Sequence, residues 1–434
     1  MHLSLSRSLL VLACAALPIS AHAIDIQRWH TADGTQVLLV ARHDNPIVDV
    51  QISFKGAGAA FNPPGKGEVA DFTAAILTDG TRTLDEEAFN ARANDLAADI
   101  GSSSSDEGAS IRLRSLSRAE VLQPALKLVN QSLTEPRFDA EVFRRRQNQS
   151  VTALQQNETD PAFVADRAAT LLDYPDHPYG SSARTSEQSL RAVTLADIRA
   201  FHRSRYGKNN AIVAVVGDID RRQTEALVQT VLAGLPAKSS RSAAVPPVPE
   251  RNAQRRDIPF AAEQAQIVMS MPLIRRDDPD YYALVVGNYI LGSGGFDGRL
   301  MKTLRDQYGY TYGAYSNLAP ATEAGAFSIA FSTQKANAAP ALAAAQKVLA
   351  DFVAEGPTEA ELQQAKSNLV GGFPLRFDTN AKLLQYLSLI GFYNLPDDYL
   401  EAYPKAVAAI SSAQIKAAWQ RRVQPQNMNI VVVG

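Results

Sequence analysis

The chain has 434 residues, 46% of them hydrophobic and 20% charged, with a formal net charge of −2. That length exceeds what one hydrophobic core organises, so two or more domains are expected. The near-neutral balance gives no basic stripe for nucleic acid and no polybasic segment for an anionic membrane, and both partners are excluded.

The first residues, MHLSLSRSLLVLACAALPISAHA, set Arg7 ahead of an apolar run from Leu9 to Ala16 and close on the small-x-small triplet Ala21-His22-Ala23. This is the pattern of a secretory signal, residues 1–23, cleaved after Ala23. The run is shorter than the ~20 apolar residues of a membrane span. An N-terminal anchor and a lipid-modified Cys14 are the alternatives, although Leu12 stands where a small residue is wanted for the latter. Cys14 is the only cysteine, so cleavage leaves an exported chain that relies on its core and not on disulfides. No later segment reaches membrane length, and a periplasmic or secreted location is expected.

In chain order, Val48, Val50, Ile52 and Phe54 alternate as a strand with one buried face. A Pro63-Pro64-Gly65 turn then leads into EVADFTAAILTDGT, Glu68 to Thr81, where Val69, Phe72, Ile76 and Leu77 form the apolar side of a helix. Phe89, Ala93, Leu96 and Ile100 predict a helix between a capping box Thr83…Glu86 and Gly101. Ile111 and Leu113 mark a strand, and Ser117…Glu120 caps a helix carrying Leu122, Leu126 and Val129. Pro236 to Asp257, rich in proline, serine and charge, reads as an extended linker. Beyond it come strands around Ile267 to Met271 and around Phe327, Ile329 and Phe331, then a helix with Leu342, Leu349 and Phe352 closed by Gly356.

One internal repeat organises these elements. TLADIRAFHRSRYGKNNAIVAVVG, ending at Gly217, aligns without a gap to SSAQIKAAWQRRVQPQNMNIVVVG, ending at Gly434. Each opens on a capping box, Thr194…Asp197 or Ser411…Gln414, and continues through a helix, a turn with Asn210 or Asn427, and an apolar strand. The fold expected is α+β, with two homologous halves of sheet and packed helices: 24–235 and 259–434, joined by a linker at 236–258.

Three stretches resemble the pitrilysin and mitochondrial processing peptidase family, zinc peptidases with an inverted His-x-x-Glu-His motif. They are NPIVDVQISFKGAGAAFNPPGKGEVADFTAAILTDGT, the segment Gln266 to Ser316, and DPAFVADRAATLLDYPDHPYG with its His177-Pro178-Tyr179-Gly180 turn. The resemblance implies two α+β halves joined by a linker and closing like a clamshell over a peptide chamber.

A peptidase of this kind holds zinc with two imidazoles and a carboxylate, and a second carboxylate takes a proton from the metal-bound water. The family pattern lays its first His on Asp71, its general-base Glu on Ala74 and its second His on Ala75. Its third ligand falls near Val151-Thr152-Ala153, which contains no carboxylate. His30, His43, His177 and His202, the histidines after the signal, include no two within four residues of each other. No zinc is expected in this chain. Gly56-Ala57-Gly58 lacks the third glycine of a dinucleotide loop, and no Gly-x-Ser-x-Gly elbow, phosphate loop or cysteine nucleophile occurs.

The resemblance also carries an Arg and a Tyr seven residues apart onto Arg305 and Tyr312. Asp297 is placed to cap a helix running to Gln307, Gly309 breaks it, and Tyr310 to Ser316 reads as a strand. In the family this pair reaches the scissile peptide, where donors aimed at the developing oxyanion contribute roughly 3–4 kcal/mol each. Read without the family, Arg305 is an exposed helix residue and Tyr312 a strand aromatic. Gly292-Ser293-Gly294-Gly295 is a helix end and loop; the family's zinc-free subunit carries a longer glycine loop there that admits substrate, so Gly292, Gly294 and Gly295 are candidate substrate contacts. The resemblance therefore implies a non-zinc subunit of an exported heterodimeric zinc endopeptidase, inactive alone, whose paralogous partner brings the zinc. An inert peptide-binding or scaffold protein of the same fold is the alternative, and an independent hydrolase a third.

Overall fold

A computed structural model describes residues 24–434. The expected signal, 1–23, lies outside the described residues. In the N-terminal half, β1 (Gln27–His30), β2 (Gln36–Ala41), β3 (Ile47–Lys55), β4 (Asp99–Ser104), β5 (Gly108–Leu116) and β6 (Ala211–Gly217) make a sheet of order β1-β2-β6-β3-β5-β4. Its helices are α1 (Val69–Ile76), α2 (Glu86–Asp95), α3 (Ala119–Thr134), α4 (Ala140–Asn157), α5 (Pro161–Asp173), α6 (Glu187–Arg191), α7 (Leu195–Arg205) and α8 (Arg221–Val231). In the C-terminal half, β7 (Arg255–Ile258), β8 (Gln264–Ile274), β9 (Ala314–Leu318), β10 (Gly325–Gln334) and β11 (Asn429–Val433) pair in the order β7-β11-β8-β10-β9. The helices here are α9 (Tyr281–Asn288), α10 (Ala338–Glu355), α11 (Glu359–Gly371), α12 (Asn380–Phe392), α13 (Tyr399–Ala409) and α14 (Ser412–Arg422).

The repeated sequence folds the same way twice. The Thr194 side chain accepts from the Asp197 N–H at the start of α7, and the Ser411 side chain accepts from the Gln414 N–H at the start of α14. β6 then lies parallel to β2 and antiparallel to β3, as β11 lies parallel to β7 and antiparallel to β8. The α+β class and the two related halves follow from this correspondence.

Four local expectations are corrected. Asp85, not Thr83, caps α2; the helix stops at Asp95, and Ala97 at φ +46° turns the chain so that Ile100 and Gly101 enter β4. Ser117 does not cap α3, because its hydroxyl donates to Asp218 at 2.7 Å and Arg118 stands at the helix start. The expected linker ends in strand β7, whose pairing with β11 begins at Arg255. The strand expected from Tyr310 starts only at Ala314.

The central strands β2 and β6 are buried on both faces, and the two halves exchange covering helices. Val37, Leu39, Val213 and Val215 face the helices of their own half, while Leu38, Val40, Ile212, Ala214 and Val216 join a core with Leu383, Leu384, Leu387 and Ile390 of α12. Reciprocally, Ala165, Ala168 and Ala169 of α5 pack on Val268, Val431 and Val433 of the C-terminal sheet. Small residues on α5 let the helix lie close to that sheet. The halves thus close on each other as a clamshell whose seam is filled by α5 and α12.

Polar groups pin the seam. Glu107, buried between β4 and β5, accepts from the hydroxyls of Tyr179 at 2.6 Å and Tyr393 at 3.0 Å and from the Thr322 N–H at 3.1 Å. The Asp173 carboxylate, at the end of α5, accepts from the Asn429 amide of β11 at 2.7 Å. Burial raises the Asp173 pKa to about 6 against the bond from Asn429.

Candidate functional site

Helix α1 is kept for packing. Glu68 enters it at φ +59° with no side-chain cap of its own, and Asn62 Oδ1 accepts from the Ala70 N–H at 2.8 Å instead. Phe72 meets Phe143 of α4 edge to face at 5.5 Å, so the two helices that hold the metal in the family still lie together. The chemistry between them is gone. Asp71 is exposed and accepts from the Ser104 hydroxyl of edge strand β4, Ala74 is buried, and Val151 of α4 is in the core.

This donor set does not fit zinc, which needs convergent imidazole, thiolate or carboxylate groups. Among the described residues no group of three or more His, Cys, Asp or Glu is placed to hold a metal ion. The buried histidines are structural. His177 pairs Nε2 with the Pro246 carbonyl at 2.8 Å, and its Nδ1 accepts from the Tyr179 N–H at 3.2 Å, which sets the proton on Nε2. His202 pairs with the Leu133 carbonyl at 2.9 Å, and burial lowers its pKa to about 4. His43 is an exposed partner of Asp218.

The candidate residues of the C-terminal half all lie in the segment between α9 and β9. Helix α9 runs on into a π-helical turn, Tyr289–Ser293, and a second π-helical segment, Met301–Gln307, carries Arg305. Wide turns of this kind recur at functional sites. Gly309 at φ +65° reverses the chain, and its N–H donates to the Arg305 carbonyl at 3.0 Å. The next turn is tied by Thr311, whose hydroxyl donates to the Gly313 carbonyl at 2.9 Å and accepts from the Gly313 N–H at 3.1 Å. Tyr312 stands at its apex, 88% exposed. Arg305, seven residues earlier on the π-helical segment, sets its guanidinium over the Phe296 ring at 4.9 Å.

The three candidate glycines differ. A Cβ on Gly292 would lie 2.6 Å from the Ser316 nitrogen and 2.8 Å from Leu300 Cδ1, so this position packs the loop onto β9. One on Gly294 would meet the Tyr289 ring, and Gly295 turns the chain at φ +69° with open space around it.

Phe296, Tyr308 and Tyr315 escape a reading that follows only the Arg and Tyr spacing. With Tyr312 they form four of the five exposed large hydrophobic side chains among the described residues, all between 296 and 315. The signal was present in the sequence: YGYTYGAY packs four tyrosines into eight residues. Large exposed aromatics concentrated on one surface mark an interaction site more often than scattered ones do.

Residues 192–369 match the family model described as the peptidase M16 inactive domain. The chain superposes on the crystal structure of a peptidase M16 inactive domain from Pseudomonas fluorescens with a TM-score of 0.90 and 34% sequence identity, over 94% of this chain and 98% of that one. The chain belongs to the peptidase M16 family. Its sequence is also 23% identical to a "non-peptidase homolog YmxG" of Helicobacter pylori, over 92% of this chain and 91% of that protein. At 18% identity and a TM-score of 0.79, it shares the M16 fold with 45% of the longer periplasmic protease PqqL of Escherichia coli. Within M16 this chain is of the inactive, zinc-free type. No helix of the described residues is long and apolar enough to cross a membrane.

Proposed function

We propose that this M16 chain is the zinc-free subunit of an exported, heterodimeric zinc endopeptidase, and that it presents Arg305 and Tyr312 to a zinc-bearing paralog. The observation that carries the reading is the surface around Tyr312. Tyr312 is 88% exposed, the Arg305 guanidinium lies over the exposed Phe296 ring, and Tyr308 and Tyr315 of the same segment are also exposed, so residues 296–315 present donors and aromatics that the chain's own fold leaves uncovered. Between the halves, a cavity of about 320 Å³ is lined by Ser103, Ser104, Ser110, Ser388 and Tyr393. On this reading the second chain forms the other wall of the peptide chamber.

In that role the partner supplies the metal and the water it activates. Arg305 and Tyr312 donate to the carbonyl oxygen of the bound peptide as negative charge develops there, a contribution that is largest in the transition state. Phe296 holds the guanidinium plane by stacking. Export and a periplasmic location, read from the leader sequence, belong to the same proposal.

Co-expression with a zinc-motif paralog tests it. Arg305→Ala and Tyr312→Phe are expected to lower kcat of the pair by roughly 10²-fold or more each, with its zinc content unchanged. An unchanged kcat in both variants refutes the catalytic role. The reading as an inert peptide-binding protein is favoured by edge strand β4, whose outer side is unpaired next to α1. Peptide binding by the isolated chain, with no assembly with any paralog, would establish it instead.

A further inference from the structure

A pocket of about 750 Å³ opens in the N-terminal half where the end of α7 meets the linker, lined by Arg203, Arg205 and Arg241 and walled by Phe61, Pro64 and Phe201. Its one acidic residue, Asp197, already pairs with Lys66. Among the described residues none of the three arginines has a carboxylate partner.

Arg205 is the centre of this arrangement. Its guanidinium is stacked over Phe61 at 4.7 Å, lies 5.7 Å from the Phe201 ring, and donates to the Ser242 carbonyl at 2.6 Å. A guanidinium has five N–H donors, so most of its fork remains unassigned. Burial and then the charge of Arg241 both lower its pKa, and no acidic group acts against them. The carbonyl end of α7 accounts for Arg203 and Arg205 in its last turn, since cations are favoured there. It does not account for Arg241, which the linker carries toward them against like charge. Such a convergence from two separate elements is unfavourable until an anion stands between the cations.

We propose that this pocket binds a small oxyanion, a carboxylate or a phosphate, held between Arg205 of α7 and Arg241 of the linker. Planar guanidinium forks match both groups bidentately. The site is independent of Arg305 and Tyr312, which lie in the other half of the chain.

The test is calorimetric titration and thermal melting of the purified chain with inorganic phosphate and, separately, with citrate, each against sodium chloride at equal ionic strength. Saturable binding of either oxyanion, not reproduced by chloride, is expected. Binding of phosphate alone assigns a phosphate ligand, of citrate alone a carboxylate, and of both a general oxyanion site. Arg205→Gln and Arg241→Gln should each weaken it roughly tenfold or more, while Arg144→Gln on the exposed face of α4 leaves it unchanged. Arg241 is exposed, so its variant keeps the fold intact should loss of the Arg205 stack disturb it. Equal stabilisation by chloride, or undiminished binding in a folded Arg241→Gln chain, overturns the proposal.

Discussion

Tyr393 of the C-terminal half donates its hydroxyl to Glu107 of the N-terminal half at 3.0 Å. The same carboxylate also takes the Tyr179 hydroxyl and the Thr322 N–H, so one buried side chain satisfies donors from three segments. Glu107→Ala leaves the buried Tyr179 phenol and the half-buried Tyr393 phenol without this acceptor and is expected to destabilise the chain by about 3 kcal/mol. Urea unfolding measures it, and a loss under ~1 kcal/mol would assign the seam to apolar packing alone.

Two buried groups titrate against each other. Asp173 binds its proton more tightly when folded, with a pKa of about 6 against ~3.9 in the unfolded chain, so its stabilisation is full below ~4 and is lost as pH rises through 6. His202, lowered to about 4 from ~6.5 unfolded, acts oppositely, and its contribution is lost as pH falls from 6.5 toward 4. Between pH 4 and 6 these two contributions to stability therefore oppose each other. Relative to wild type, Asp173→Asn should lose more stability on acidification across that window, and a melting profile parallel to the wild type's would show that Asp173 does not titrate there.

The glycines of the loop after α9 should separate by mechanism. Gly292→Ala forces a methyl against the Ser316 nitrogen and Leu300, with an expected loss of about 1–3 kcal/mol. Gly295→Ala meets open space and pays only for its positive φ, about 1 kcal/mol. Thermal melting of the two variants should keep that order.

Restoring the motif residues is not expected to restore a site. With Asp71→His, Ala74→Glu and Ala75→His combined, the third ligand is still missing from Val151-Thr152-Ala153, and a carboxylate is forced into the buried position of Ala74. Metal analysis should find no stoichiometric zinc, and the melting temperature should fall. One bound zinc per chain would contradict the fit argued for α1 and α4.

Tyr312→Ala should leave stability within about 0.5 kcal/mol of wild type, because the side chain is almost wholly in solvent. Any effect of that substitution on a partner complex then reports the surface and not the fold.

The two halves were legible because the aligned helix, turn and strand segments ending at Gly217 and Gly434 carry their caps and apolar runs in register. Strand β3 was legible from strict alternation. The boundary of α2 was not, because Ile100 continues its helical spacing by coincidence while Ala97 takes a left-handed turn. The helix exchange was hidden for a different reason: Ala165, Ala168 and Ala169 give α5 an unremarkable small-residue face, and nothing in their spacing names the sheet it covers. Arg305 and Tyr312 were found only through family resemblance. The π-helical turns and the Thr311 side-chain turn that place them leave no periodic trace.

The reciprocal covering of the sheets by α5 and α12 makes the order of synthesis matter. The inner face of the N-terminal sheet, with Leu38, Ile212 and Ala214, is complete once β6 has been made, yet the helix that covers it ends only at Phe392. At ordinary elongation rates that apolar face stays bare on the ribosome for on the order of ten seconds. The nascent chain is thus a natural client for a holding chaperone during that interval, and a fragment truncated before α12 is predisposed to aggregate.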